Sequence, residues 1–315
     1  MKGVTILTDQ KESLKFLIGK MMQEDPIFFS RIGGSDTNAI KHYYDIVDFF
    51  ANENLCQFYS NIVKSYNGYF DFAEDRLTQK TNFKKYLDDM IMFYRNSDTY
   101  SWTQLEGYIK HDQVKFLEDV LAGKILINYG VICHIRTFLE TLSIWGAGKK
   151  ILIVSCFSKS IQHQWERRDK LHVDYTFPEC ELLTYNTPIT YNVKEDTKEG
   201  LGLITNNWHE ECKRRAEEIG KLDFDIALLS CASSGMYLGT YIRDVMHKKA
   251  LYLGGVVNMM FNIYGGRFST YAHLHGLNME YEIDPLENED IENIKGGRGI
   301  EGECVHAYFG KREKI

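Results

Sequence analysis

Residues 225–267 read DIALLSCASSGMYLGTYIRDVMHKKALYLGGVVNMMFNIYGGR, and the architecture follows from them. DIALLSC is a short apolar run ending in small polar residues, as expected of a strand buried on both faces. Ser233, Ser234 and Gly235 supply a turn. Tyr237, Leu238, Tyr241, Ile242, Val245 and Met246 then recur at helical spacing. KALYL is a second strand, and Gly254-Gly255 breaks it before VVNMMFNIY. Two such strands joined by a helix form a parallel βαβ unit, which belongs in a sheet covered on both faces. In open sheets of this kind ligands sit beyond the carboxyl ends of the strands. Ser230, Cys231, Ser234, Gly235, Gly254 and Gly255 stand at those ends. Small residues admit a ligand to the backbone, and the amides opening the next helix can hold a phosphate. Turn formation alone explains the same glycines equally well.

Outward from this unit, the same strand–turn–helix pattern returns twice. Ile27–Ile32 is β-favouring and apolar. Gly33-Gly34 follows, with Ser35 or Asp36 as the cap of a helix through AIKHYYDIVDFFANEN. Arg31 at the strand end and Asp36 beyond the glycines suit a nucleoside diphosphate, a metal ion, or each other as an ion pair. Lys149–Lys170 repeats the pattern: ILIVS is a buried strand, and Phe157, Ser158, Lys159 and Ser160 start a helix after Ser155. That helix continues through Gln164 to Arg167 and Arg168, read as a solvated basic face.

Leu55–Asn96 is helical and aromatic, a stripe that reads as core packing. TYSWTQLEG is a short strand and turn, HDQVKFLEDVLAG a helix stopped by Gly123, KILINYG a strand, and Cys133 onward a helix. ECELLTYNTPI is another strand, and TNNWHEECKRRAEEIGKL an amphipathic helix capped near Thr205 or Asn206 with its charges outward. ECVHAYF is a last edge strand after a Gly-rich loop. The sum is an α/β class, a Rossmann-like, mostly parallel sheet with helices on both faces. The whole chain, 1–315, reads as one domain with a mainly helical N-terminal insertion around 37–122.

The bulk composition excludes several classes. With 315 residues, 44% of them hydrophobic, there is ample material for one large α/β domain. The net charge of −7 argues against a general nucleic-acid-binding surface and leaves room only for a local basic groove. No stretch reaches the ~20 apolar residues of a membrane span, and the N-terminus lacks the apolar centre of a signal peptide. Seven scattered cysteines without a Cys-x-x-Cys pair fit reduced thiols in the cytoplasm. Gly-x-Gly-x-x-Gly, Walker, His-Glu-x-x-His and Gly-x-Ser-x-Gly motifs are absent. His163 and His209 read as surface or packed histidines. His273 and His275 lack a third metal ligand. Cys231 or Ser234 as a hydrolytic nucleophile lacks an assignable histidine.

The blocks FFSRIGGSD, KKILIVSCFSKSIQHQ, DFDIALLSCASSGMYLGTYIRDVMHKKALYLGGVVNMMFNIYGGRF and IEGECVHAY occur in that order. The set resembles the D-type glycosyltransferase family. In that family the first block carries Arg-x-Gly followed by an Asp-x-Glu triplet, and the third carries a Cys-Gly-x-x-Gly turn, a Leu-Gly-Gly turn, a Gln, a Phe-Gly-Ile and a terminal Gly-x-Arg-Trp. The resemblance implies transfer of a sugar from a nucleotide-diphosphate donor to a glycan or glycoconjugate acceptor, with manganese or magnesium as the family's cation. It implies Asp36 as metal ligand, sugar-orienting group or base. It places Arg31, Gly33, Gly34, Ser155, Phe157, Ser158, Ser160, Cys231, Ser233, Ser234 and Gly235 along the donor, with Gly254, Gly255, Asn258 and Arg267 as the opposite wall. The chain departs from the pattern: the triplet is Gly34-Ser35-Asp36, the Gln is Asn258, the Phe-Gly is Phe261-Asn262, and Ala232-Ser233 replaces the turn glycine. A hard cation prefers several oxygen ligands, so the triplet leaves metal dependence open. A non-catalytic nucleotide or sugar-phosphate binding protein on the same scaffold is the alternative.

Overall fold

The apolar runs form strands because each alternates its side chains between two hydrophobic cores. Phe28, Leu152, Val154, Ala227, Leu229 and Ala250 enter one core. Phe29, Ile151, Ile153, Ile226, Leu228 and Leu251 enter the other. Burial on both faces is why these strands read as continuous apolar runs. The structure, a computed structural model, describes residues 3–32, 34–102, 114–191, 193–265 and 276–287, with side chains at all of these except 32, 34–36, 100, 102 and 114–117.

The strands are β1 (Thr5–Leu7), β2 (Phe28–Ile32), β3 (Thr99–Trp102), β4 (Ile125–Asn128), β5 (Lys150–Ser155), β6 (Glu181–Asn186), β7 (Ile226–Ser230) and β8 (Lys249–Tyr252). They build one eight-stranded sheet in the order β1-β4-β3-β2-β8-β7-β5-β6. Every neighbouring pair is parallel. Helices α2 (Gly34–Asp45), α3 (Glu53–Asn67), α4 (Arg76–Asn96), α5 (Val114–Leu121), α9 (Trp208–Ile219) and α10 (Ser234–Asp244) pack on one face. Helices α1 (Gln10–Met22), α6 (Gly130–Cys133), α7 (Ile135–Trp145), α8 (Ser158–Trp165) and α11 (Val256–Met260) pack on the other. The fold is therefore α/β, with helices on both faces of a parallel sheet, as expected.

Several local expectations are corrected. β1, three partly exposed residues, carries too little apolar signal to stand out in the sequence. Helix α1 is capped by Asp9, whose carboxylate accepts from the Glu12 amide at 2.9 Å. Helix α2 begins at Gly34, so Ser35 and Asp36 occupy its first turn and do not cap it. The helix expected from Cys133 breaks at His134 into α6 and α7. Helix α9 is capped by Asn207, not Thr205 or Asn206. Most of the aromatic stripe is core: Tyr69, Phe70, Phe83, Tyr86, Phe93 and Tyr94 are buried, whereas Phe58 and Tyr66 are exposed, and Tyr86 meets Trp208 edge-on at 4.9 Å. Among the described residues, no helix is long and apolar enough to cross a membrane. The expected C-terminal strand ECVHAYF, Cys304, His273 and His275 lie outside the described residues.

Candidate functional site

The order of the strands creates the site. β7 leads through α10 to β8 across one face, whereas β5 leads through α8 to β6 across the other. The loops leaving β5 and β7 therefore diverge to opposite faces of the sheet. The loops leaving β2 and β8, into α2 and α11, diverge in the same way. Such switch points are where parallel α/β sheets bind ligands.

The register brings the expected strand ends to one level. Phe29 pairs with Leu251, Tyr252 with Leu229, and Ser230 with Ser155. Two residues past the first pair and one past the second, Arg31, Leu253, Ser230 and Ser155 form a single row. Three strand spacings separate its ends, about 14 Å.

Arg31 is half-buried, and its Nη1 donates to the Leu253 carbonyl at 3.4 Å. Its guanidinium also sits 5.6 Å from the centre of the Tyr129 ring. Gly254 is in the left-handed region at φ +60°, and a Cβ there would overlap Arg31 Nη1. Glycine suits this position for its backbone angle, and it leaves the end of the Arg31 side chain its present place. Beside Arg31 in register stands Ser101, whose buried hydroxyl has no partner among the described residues.

The Cys231–Ser234 turn is fastened from three sides. The Ser233 amide donates to the Asn67 carbonyl at 2.9 Å, from the end of α3. The Ser233 hydroxyl accepts from Trp208 Nε1 at 3.0 Å. Ser234 Oγ donates to the Cys231 carbonyl and accepts from Arg215 Nη1 at 2.9 Å. Gly235 packs on Tyr252, whose ring would lie 2.9 Å from an added Cβ. Cys231 is buried, and that burial pushes its thiol up to about 11 against the smaller opposing effects of Ser234 and Arg215. A thiol held protonated in this way is not an activated nucleophile, which removes the support for a Cys231 hydrolase.

Arg215 is the residue that the sequence hid. Helical periodicity puts the charges of α9 outward, yet Arg215 is only 1% exposed and Glu211 equally so. Arg215 Nε donates to Glu211 Oε1 at 2.9 Å, and Thr205 and Arg214 also donate to that carboxylate. The Glu211–Arg215 spacing of four residues was the available signal; its burial was not.

At β5 the turn is self-contained. The Phe157 amide donates to Ser155 Oγ at 3.1 Å, and Ser158 Oγ donates to the Ser155 carbonyl at 2.9 Å. One turn on, the Ser160 amide donates to Glu287 Oε1 at 3.1 Å, and the Ser160 hydroxyl meets the other carboxylate oxygen. The anion seat at the start of α8 is thus filled by a carboxylate from 127 residues away. Gln164 lies behind it, fully buried, and donates to the carbonyls of Asn262 and Tyr281 at 3.2 and 2.8 Å. Arg168 stacks on Trp165 at 4.6 Å.

Asn258 follows Gly254-Gly255 on α11. It is 1% exposed, and neither polar atom of its amide has a partner among the described residues. Leaving such an amide unsatisfied costs about 1–3 kcal/mol, a cost that a bound polar group would remove. Gly33 and Arg267 lie outside the described residues, as does the side chain of Asp36.

Two departures from the resembled motif acquire a physical meaning. Ala232 and Asn262, which stand where the motif has glycines, both keep left-handed backbones, at φ +52° and +51°. Asn tolerates that region and here donates to the Asn278 carbonyl at 2.7 Å. Ala has no such compensation. Ala232→Gly is expected to raise stability by about 0.5–1 kcal/mol, the relieved strain exceeding the added entropy of the unfolded chain. Urea unfolding that showed a loss instead would mean that the Ala232 methyl group is needed for packing.

No family model matches the chain, and no curated protein matches it. Among solved structures, the chain is similar to the selenomethionine-substituted structure of domain of unknown function 1792. The match covers 96% of this chain and 91% of that one, with a TM-score of 0.48 and 11% sequence identity.

Proposed function

We propose that the protein is a glycosyltransferase that moves a sugar from a nucleoside-diphosphate donor to a hydroxyl of a glycan or glycoconjugate. The observation that carries this reading is the single row of strand ends, Arg31 to Ser155, between loops that diverge to opposite faces. Its length of about 14 Å suits an extended pyrophosphate-bearing ligand. Arg31, fixed over Gly254, would neutralise the diphosphate. As the glycosidic bond breaks, negative charge grows on the leaving diphosphate oxygen, and a preoriented cation stabilises it without reorganising. The Cys231–Gly235 turn and the Ser155–Ser160 turn, whose polar groups are largely paired within the protein, would bound the far end by shape. Because Glu287 holds Ser160, the diphosphate belongs nearer Arg31 and Gly254. Asn258 would line the opposite wall through its unsatisfied amide.

Asp36, in the first turn of α2, would orient the sugar or accept the proton of the attacking hydroxyl. Manganese or magnesium would reach the strand ends on the donor phosphates. The chain offers one carboxylate in Gly34-Ser35-Asp36, too few oxygens for a protein-held centre, and no step is assigned to a metal.

Arg31→Ala is expected to weaken nucleoside-diphosphate binding at least tenfold, read by calorimetry and by thermal shift with and without manganese or magnesium. Asp36→Asn is expected to leave binding largely intact and to cut transfer at least a hundredfold. Full transfer by both variants would sink the reading. Tight nucleotide binding by the unaltered protein, with no sugar transferred or hydrolysed, would instead favour a non-catalytic binding protein, which the single-carboxylate triplet supports.

A further inference from the structure

The spacing of Glu53, Cys56, Ser60 and Lys64 puts them on one face of α3. Arg76, Lys80 and Phe83 repeat that spacing in the first turns of α4. With Tyr69 and Asp71, from the segment between the two helices, these residues line a cavity of about 210 Å³. None of them belongs to the row of strand ends. Pockets that enclose drug-sized ligands run to roughly 300–1,000 Å³, so a sugar nucleotide does not fit here. An apolar cavity of roughly 150 Å³ takes up one benzene ring, so a single ring with an acidic group does.

The polar groups of the wall divide by sign. The acids are already engaged. Asp71 is buried and accepts from the Ala73 amide at 3.0 Å, from Asn82 Nδ2 at 3.0 Å and from the Tyr69 hydroxyl at 3.4 Å. Glu53 meets Arg76 at 3.2 Å. The two lysines are not engaged. Among the described residues neither Lys64 nor Lys80 has a hydrogen bond or an ion pair, and the Ser60 hydroxyl has no partner. Both lysines are half-buried. Burial pushes Lys64 below its ordinary pKa and outweighs the attraction of Asp71. Withdrawing an ammonium from water without a counter-ion costs free energy, which a bound anion offsets. The rest of the wall is apolar: Cys56 and Phe83 contribute to it, and the exposed Leu77 extends it. The unspent groups are therefore all donors, set against a small apolar surface.

We propose that this cavity binds a small organic anion, a carboxylate or phosphate monoester with a short apolar body, whose charged end meets Lys64 and Lys80. The site does not depend on the transferase reading.

The test is calorimetric titration of the intact protein with benzoate and with phenyl phosphate. Benzyl alcohol and benzylamine serve as the neutral and cationic comparisons. The expected result is binding of at least one of the two anions, with both comparisons weaker by about tenfold or more. Lys64→Met and Lys80→Met should each weaken the anion by about tenfold, the worth of one hydrogen bond to a charged group. Lys64→Met should also unfold at no lower denaturant concentration than the unaltered protein, because the charge that it removes is disfavoured by burial. Lost binding in that variant is then not lost folding. Arg31→Ala should leave the affinity unchanged, which separates this cavity from the strand ends and from any failure there. Neither anion bound, the neutral analogue bound as tightly, affinity unchanged in both lysine variants, or affinity lost in Arg31→Ala would each overturn the proposal.

Discussion

Replacing Arg215 with alanine is expected to lower the stability of the protein by about 3 kcal/mol, at the lower end of what breaking a buried ion pair costs. The guanidinium is shut in with Glu211 and supplies the 2.9 Å bond that fixes Ser234. Its loss leaves Glu211 held only by Arg214 and Thr205, inside a site from which water is excluded. Arg214 is itself partly exposed, which keeps the loss from reaching the upper end. Denaturant unfolding measures the effect. A paired control separates charge burial from packing: Glu211→Leu with Arg215→Met should recover much of the loss, since apolar replacement of a whole buried pair is often neutral. A single variant costing under about 1 kcal/mol would mean that the pair does not brace the Cys231–Ser234 turn.

The second large effect is expected at Gly254. Alanine there carries the left-handed backbone penalty, about 1–2 kcal/mol, and its methyl group would overlap Arg31 Nη1. Arg31 must then leave the Leu253 carbonyl, so nucleoside-diphosphate affinity is expected to fall at least tenfold. The two contributions can be divided. In an Arg31→Ala background the overlap is gone, and only the backbone penalty should remain. Unfolding curves of the two single variants and the double variant complete the cycle. Equal costs of Gly254→Ala in both backgrounds would refute the idea that this glycine exists to accommodate the cation.

What the sequence revealed follows from how local each feature is. DIALLSC, ILIVS and KALYL declare themselves because burial on both faces demands unbroken apolar runs. Gly254 declares itself because only glycine is comfortable at its backbone angle. Ala232 takes the same kind of angle and gives no sign of it, since an L-residue in that region looks like any other alanine. The buried Glu211–Arg215 pair reads as an ordinary exposed pair, because periodicity assigns charges to solvent. Glu287 at the start of α8 has no local signature. Strand order is equally opaque: chain adjacency would place β7 next to β6, whereas β7 lies on the other side of β5 and closes against β8. Of the candidate site, the strand-end positions could be expected; the residues bracing them from α3 and α9 could not.

The pairing of β2 with β8 has a bearing on biosynthesis. Phe28 meets Ala250, and no nearer segment substitutes for that partner. As the polypeptide leaves the ribosome, the middle of the sheet keeps an open edge until more than two hundred further residues have been added. Helices α2 to α4 can form early, but their seat is incomplete throughout that interval. Contacts so distant along the chain form slowly and leave apolar edges open to mispairing. The apolar edge of β2 therefore stays open in the nascent chain until β8 has been made.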